Sequence, residues 1–337
     1  MKLRNLTPFG ALCFGALDPS DREHHVVAMR VCYRLAPRSA GWFDAQVIDA
    51  NPPGLVLADR YSGEVGRSSL LCESDLAPYK PRCDVLVTGS THAPGGRPAA
   101  SWTARLRLSR PRRRPAASGS GQGRLAEDDS AAAAAVLGGQ DMRVLLDKSV
   151  VAHGPRQLRR TWLGGWEMQS ALPATSVKLG YERAFGGASR VPAANEQASQ
   201  TPLLDEVCYQ NPLGCGWRDA RENKLLEQAG RPLPELLPAP QLEYPDDPIT
   251  GMCLSEQPRG PLSPAQMSEA VLAEGHRPAG FGAIGRAWTP RLQRAGTYDD
   301  AWQRERWPGL PEDFDFGYWN GAPADQQIDH PPPDFAL

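Results

Sequence analysis

The sequence predicts a mainly β fold with sandwich-like antiparallel sheets and a few short helices in the second half, and an α+β arrangement is the alternative. Two observations predict it. Apolar and polar residues alternate in several short runs, which is the pattern of half-buried strands. Glycine and proline each occur 33 times in 337 residues and interrupt these runs at short intervals, which is typical of turns.

The clearest strand prediction covers residues 102–108. Every second residue there is apolar, and the residues between them include Arg105 and Arg107. Val27 to Leu35 alternates in the same way and is predicted to be one strand. Residues 84–89 and 142–146 are short apolar runs that predict two further strands.

The composition changes over residues 110–140, which predicts a low-complexity, flexible insertion. This segment passes from an arginine run through a Ser/Gly tract to an acidic run and five consecutive alanines. A β-rich N-terminal part, 1–109, precedes it, and a β-rich part with short helices, 141–337, follows. We expect these two parts to form one continuous domain.

Capping and turn residues predict three short helices in the second half. One begins at Ser263, where serine, proline and glutamine form a capping box. A second covers residues 221–229, before a glycine. The third begins at Thr297, carries Trp302 and stops at Pro308.

Charge and composition narrow the classes of partner. The formal net charge of −2 offers no general field for nucleic acid or an anionic membrane. Arg, Gly and Pro interrupt every apolar run before the roughly 18 residues that a spanning helix needs. The N-terminus lacks the pattern of an export signal, and seven scattered cysteines suit a reducing compartment. We therefore expect a cytoplasmic protein with neither nucleic-acid nor membrane partners.

The motifs that carry chemistry are weak. Residues 280–285 match the dinucleotide fingerprint GxGxxG, but no strand precedes them and prolines lie on both sides. Cys208 and Cys215 have no further cysteine or histidine at metal-ligand spacing nearby. No nucleophile motif surrounds a serine or cysteine. The sequence therefore predicts no cofactor, no metal, no catalytic residues and no enzymatic activity.

Aromatic residues are crowded near the C-terminus. Of the nine tryptophans, Trp302, Trp307 and Trp319 lie there with two phenylalanines and a tyrosine. Such density usually indicates a core, but large rings are also the anchors of protein interfaces. A partner-binding groove is therefore the second interpretation of this segment.

Collinear blocks through nearly the whole chain carry a family resemblance. They are YKPRCDVLVTG (79–89), WTARL (102–106), YERAFGG (181–187), NPLGCG (211–216), PAGFGAIGR (278–286), WTPR (288–291), GTYDDAW (296–302), LPEDFD (310–315) and APADQQ (322–327). With these blocks the chain resembles the domain-of-unknown-function 2169 family.

The resemblance implies an accessory protein of the bacterial type VI secretion system, one that binds and stabilises a toxic effector and helps to load it onto the spike. The implied clients are effectors with an N-terminal PAAR-like region, and the valine-glycine-repeat spike protein is the implied downstream partner. No reaction is implied. The residues predicted for partner binding are Tyr181, Glu182, Arg183, Phe185, Asn211, Trp288, Tyr298, Trp302, Phe314 and Asp315.

Two other functions remain open at this point. One is a carbohydrate- or peptidoglycan-active enzyme on a β scaffold, with acids such as Asp313 and Asp315 in the active site. The other is a structural component of the secretion apparatus, which predicts self-assembly.

Overall fold

The structure is a computed structural model that describes residues 3–37, 43–65, 68–111, 142–162, 166–181, 188–192, 203–207, 235–249, 277–286 and 288–330. Its fold is mainly β, as the sequence predicts, with antiparallel pairing throughout the described sheets. Among the helices it describes, none combines the length and the apolar character that crossing a membrane requires.

Short strands dominate the described residues. In chain order they are β1 (Ala11–Leu17), β2 (Glu23–Met29), β3 (Tyr33–Pro37), β4 (Phe43–Val47), β5 (Arg60–Tyr61), β6 (Leu70–Cys72), β7 (Cys83–Asp84), β8 (Ser90–His92), β9 (Ser101–Pro111), β10 (Met142–His153), β11 (Gln157–Arg160), β12 (Trp166–Met168), β13 (Ser176–Lys178), β14 (Ala188–Pro192), β15 (Leu203–Val207), β16 (Leu236–Pro238), β17 (Leu242–Glu243) and β18 (Gln327–Ile328). The α-helices are α1 (Thr289–Leu292) and α2 (Asp300–Glu305), and the 3₁₀ turns are Pro94–Gly96, Gln293–Ala295, Phe316–Trp319 and Ala324–Gln326.

The strands form small sheets. Two are three-stranded, in the orders β17-β10-β9 and β12-β11-β16. The others are two-stranded pairs of β1 with β2, β3 with β4, β5 with β6, β8 with β13, β14 with β15, and β7 with β18. The last pair joins residues 83–84 to 327–328, so the C-terminal segment lies against the N-terminal third.

The longest pair is β9 with β10, which precede and follow residues 112–141 in the sequence. Alternation sets their orientation: Trp102 and Ala104 of β9 are buried while Arg105 and Arg107 are exposed, which confirms the strand predicted there. Strand β10 confirms the strand predicted over 142–146 and continues it to His153. A bulge between Val144 and Leu146 shifts the register.

The main hydrophobic core lies beneath this three-stranded sheet. Its buried members are Ala93, Trp102, Ala104, Val150, Ala152, Val177, Leu242, Tyr244, Ala279 and Phe281. The Trp102 indole Nε1 donates a hydrogen bond to the Thr91 hydroxyl at 3.0 Å, so its polar atom is satisfied inside the core.

Several predicted elements differ in the structure. The single strand predicted over Val27–Leu35 is two strands, β2 and β3, and residues 85–89 form no strand beyond β7. The helix predicted from Thr297 is shorter and runs from Asp300 to Glu305. The predicted helices at 221–229 and after Ser263 and almost all of the predicted insertion lie outside the described residues, apart from residues 110–111 in β9.

Candidate functional site

Three aromatic side chains near the C-terminus, Tyr298, Trp302 and Trp307, form a cluster that we call the aromatic patch. The rings of Tyr298 and Trp302 meet edge to face with centroids 4.7 Å apart, and those of Trp302 and Trp307 do so at 5.7 Å. Tyr298 is 53% exposed and Trp307 is 70% exposed. Because contiguous exposed rings are uncommon on a surface without a role, the patch is the candidate partner-binding site.

Helix α2 holds the patch in place. The Asp299 side chain caps it by accepting a hydrogen bond from the Trp302 amide at 2.8 Å. The Trp302 indole donates to the Gly309 carbonyl at 2.9 Å. Just after the helix, Arg306 forms an ion pair with Asp21 at 2.9 Å. These contacts fix both ends of the segment, so the exposed rings are preorganised.

None of the other predicted partner-binding residues that the structure describes has a ring contact with the patch. Trp288 is half-buried against Tyr181 and Ile284, and it lines a cleft of about 200 Å³. Tyr181 and Phe314 are buried and contact their own chain. Asp315 is exposed. Outside the described residues lie Glu182, Arg183, Phe185 and Asn211.

The two acids considered for glycosidase chemistry both bind local backbone amides. Asp313 accepts hydrogen bonds from the Thr297 amide at 2.9 Å and from its hydroxyl at 2.8 Å. The amide hydrogen bond from Thr297 lowers the pKa of Asp313. Asp315 accepts from the Gly317 amide at 2.7 Å and lies 3.8 Å from Arg294. Acceptors of this kind stabilise turns.

A buried lysine network connects the main sheet to the C-terminal segment. Lys148 points inward from β10, and its Nζ donates hydrogen bonds to the Tyr181 hydroxyl (2.9 Å), to Gln326 Oε1 (2.8 Å) and to Asp325 Oδ1 (3.2 Å). The Tyr244 hydroxyl donates to Asp325 at 2.7 Å. Since every polar atom named here has a partner, the network is satisfied inside the core.

Burial governs the proton affinities in the lysine network. Burial lowers the pKa of Lys148 to about 8, although Asp325 acts in the opposite direction. It raises the pKa of Tyr181 well above its usual range and also raises that of Tyr244, with Asp325 contributing in each case. The adjoining cavity beside Tyr181 holds only about 20 Å³, little more than a water molecule. The geometry therefore suits a structural junction rather than a substrate site.

A second buried ionic cluster surrounds Glu73. Its carboxylate pairs with the Arg291 guanidinium, lies 3.6 Å from Lys80 Nζ and lies 4.0 Å from Arg286. A methyl group on Gly321 would overlap this carboxylate, so a larger residue there would displace Glu73 from the cluster. The cluster joins residues of the N-terminal third to the segment around α1.

A third buried cluster lies at the end of the three-stranded sheet. Glu243 of β17 binds His153 Nε2 at 2.7 Å and Arg156 at 2.9 Å, and its carboxylate also accepts the Ile249 amide at 2.9 Å. Burial alone would raise the pKa of Glu243, but hydrogen bonds from His153 and Arg156 outweigh it and lower the pKa to about 2.

The first glycine of residues 280–285, Gly280, serves packing. A side chain on Gly280 would come within 3.0 Å of the Tyr181 ring, which lies directly over it. The Phe281 amide donates to the Leu179 carbonyl at 2.7 Å, and the Phe281 carbonyl accepts from Gln326 Nε2 at 2.8 Å. The segment crosses the core without the strand-to-helix turn that a dinucleotide fingerprint needs, in agreement with the sequence argument.

Sequence reasoning missed Lys148, Glu73, Glu243 and the exposure of Trp307. A signal existed only for Lys148, which lies two residues from both Leu146 and Val150 and therefore on the inward face of β10. In the described ranges, no group of three or more His, Cys, Asp or Glu side chains has the arrangement of a metal site.

The fold and the candidate site thus define a mainly antiparallel β protein with buried ionic clusters and an exposed aromatic patch. A family model described as an uncharacterized protein conserved in bacteria (DUF2169) matches residues 20–334, so the chain belongs to this family. Searches of the curated proteins and of the solved structures gave no match to the chain.

Proposed function

We propose that this protein is an adaptor of the type VI secretion system that binds a toxic effector and promotes its stability and its loading onto the spike. The aromatic patch is the observation that carries the proposal within the structure. The membership of the family supports it through the resemblance of the sequence blocks. The patch offers an interface anchor, and the proposed activity is binding alone.

The chemistry of the patch suits reversible protein binding. Tyrosine and tryptophan rings bury a large area while ordering few rotatable bonds, and they dominate the binding energy of many interfaces. Trp302 is half-buried and supports the outer rings of Tyr298 and Trp307 through edge contacts. A partner that covers the outer rings therefore gains apolar burial with little loss of side-chain entropy.

In the proposed sequence of events, the adaptor acts in the cytoplasm of the producing cell. It covers an apolar or strand-edge surface in the PAAR-like N-terminal region of the effector and so prevents aggregation. The valine-glycine-repeat spike protein then takes over the effector.

Co-expression with a candidate client, a toxin whose gene neighbours that of this chain, tests the proposal. We expect the toxin to be soluble and to co-purify with the wild-type protein, and Trp307→Ala to weaken this binding by about 2 kcal/mol. Trp162→Ala is the matched control, because Trp162 is 92% exposed and outside the patch. A toxin that is equally soluble and reaches the spike equally well without this protein would overturn the proposal.

A further inference from the structure

The aromatic patch lies in an acidic part of the chain. Residues 297–315 contain six carboxylates and two arginines, a formal charge of −4, whereas the whole chain has a formal charge of −2. One of the two arginines, Arg306, is already paired with Asp21. The segment that carries the patch is therefore acidic, although Arg294, just outside it, lies 3.8 Å from Asp315.

Several of these carboxylates are close to the rings along the chain. Asp300 and Glu305 are exposed at the two ends of α2, which carries Trp302 between them. Asp313 binds Thr297, the residue before Tyr298. Burial raises the pKa of the Tyr298 phenol, with further contributions from Tyr318 and from the negative charge of Asp313. The exposed rings and these exposed acids therefore belong to the same short segment, residues 298–313.

Exposed aromatic rings and carboxylates together favour one class of ligand group. The faces of Tyr and Trp rings carry partial negative charge and attract Lys or Arg side chains, each such contact contributing about 0.5–1 kcal/mol at an exposed site. Neighbouring carboxylates add charge-assisted hydrogen bonds to the same cations. They also disfavour an acidic partner by like-charge repulsion.

We propose that the aromatic patch binds a basic segment of the client, with arginine or lysine side chains stacked on Tyr298 and Trp307 and paired with Asp300 and Glu305. This inference rests on the proposed function, and it specifies the chemistry by which the client is recognised. Arginine suits the site best because its planar guanidinium can stack on a ring and bind a carboxylate at the same time.

A peptide titration tests the recognition chemistry without the client. The probe is a short peptide of alternating arginine and glycine, titrated calorimetrically into the full-length protein, and the control peptide has glutamate in place of arginine. We expect binding of the arginine peptide only, with an affinity that falls as sodium chloride increases. Equal binding of the two peptides, or no binding of either, would overturn the inference.

Variants locate the binding on the protein. We expect Trp307→Ala to weaken binding of the arginine peptide by about two- to fivefold. The double variant Asp300→Asn/Glu305→Gln should weaken it and reduce its salt dependence, while Trp162→Ala should leave it unchanged. These are surface positions, and unchanged circular dichroism would show that the fold is retained. Wild-type affinity in both patch variants would place the site elsewhere and refute the inference.

The same variants, tested with the co-expressed toxin, separate the two proposals. A toxin that binds the wild type but is lost from Trp307→Ala and from the double variant supports both. A toxin that binds all variants equally leaves the adaptor function standing and overturns the basic-segment inference. An arginine peptide that binds at the patch while no toxin binds the protein overturns the adaptor function and supports the recognition chemistry.

Discussion

Lys148 shows how one residue can couple the stability of this protein to pH. Its ammonium group lies 5.1 Å from the Tyr244 ring centroid and 3.1 Å from Asp325 Oδ2, and its side chain is only 1% exposed. The ordinary pKa of 10.5 falls to about 8 because burial penalises the charged form. Between these two pH values the unfolded chain binds more protons at this residue than the folded protein does.

The sign of the resulting pH dependence is fixed by this difference. Below pH 8, Lys148 is charged in both the folded and the unfolded state, so folding carries the full cost of burying the charge. Above pH 10.5, Lys148 is neutral in both states and this cost is absent. We expect the free energy of unfolding of the wild type, minus that of Lys148→Met, to rise from pH 8 towards pH 10 by at most about 1.4 kcal/mol per pH unit. Urea unfolding with reduced thiols at several pH values measures this difference.

Lys178→Met is the matched control, because Lys178 is exposed on β13 and its loss should leave the difference flat. Tyr181 and Tyr244, with raised pKa values, destabilise the fold only above about pH 10, so the comparison is made below that pH. The lowered pKa of Lys148 would be contradicted if the difference in free energy of unfolding between the wild type and Lys148→Met varied with pH as little as it does for the control.

At the scale of elements, the alternation of apolar and polar residues predicted which side chains of a strand face the core, but not which strands pair. Strand β9 was predictable because its apolar residues recur at every second position and its arginines occupy the other face. Val27 to Leu35 alternates similarly, yet the backbone changes partners within it. The Arg30 amide donates to Gly10 near β1, whereas the Cys32 carbonyl accepts from Ile48 near β4. Periodicity in one segment carries no information about which distant segment pairs with it.

The candidate site was predictable only in part for the same reason. Tyr298 and Trp302 were proposed for partner binding, and both belong to the aromatic patch. Trp307 is the most exposed ring of the patch, but sequence alone could not separate it from Phe314, which is buried a few residues later. Exposure in this segment depends on long-range contacts such as that between Arg306 and Asp21, 285 residues apart.

Helix α2 is too short to be stable alone, so its cap should matter. Replacing Asp299 with alanine removes the side-chain acceptor of the Trp302 amide, and such losses typically cost about 1 kcal/mol. We expect faster hydrogen exchange at the Trp302 and Gln303 amides in Asp299→Ala. Asp299→Asn is the control, because asparagine keeps a capping oxygen and should preserve protection. Equal exchange in both variants would show that the cap does not stabilise the helix.

At the scale of the whole molecule, buried polar contacts join the N-terminal third to the C-terminal segment, in addition to apolar contacts such as that between Tyr79 and Phe316. Strand β7 pairs with β18, and Glu73 pairs with Arg291. Arg286 binds Asp59 at 3.0 Å. The lysine network adds a further connection through residues 324–326. Because these groups need mutual partners, the two segments are expected to separate together when one contact is lost.

Asp84 makes several of the buried polar contacts between the N-terminal third and the C-terminal segment. Its side chain is 5% exposed and pairs with Lys80 at 2.7 Å. It also accepts the Asn320 side-chain amide at 2.9 Å and the Gly321 backbone amide at 3.0 Å. Asp84→Asn would place an amide donor against these donors and leave Lys80 without its nearest carboxylate.

We therefore expect Asp84→Asn to lower the free energy of unfolding by about 2–3 kcal/mol, because buried donors lose their acceptor while Lys80 is 30% exposed and keeps Glu73 at 3.6 Å. Asp329→Asn is the control: this carboxylate is 78% exposed and pairs with Arg82 at 3.1 Å, so its loss should cost about 1 kcal/mol or less. Urea midpoints of the two variants measure the contrast. Limited proteolysis should also cut Asp84→Asn faster around residues 320–330, because the C-terminal segment loses its anchor when the Asp84 contacts are broken. Equal midpoints in the two variants would mean that apolar packing, rather than the Asp84 contacts, holds the two segments together.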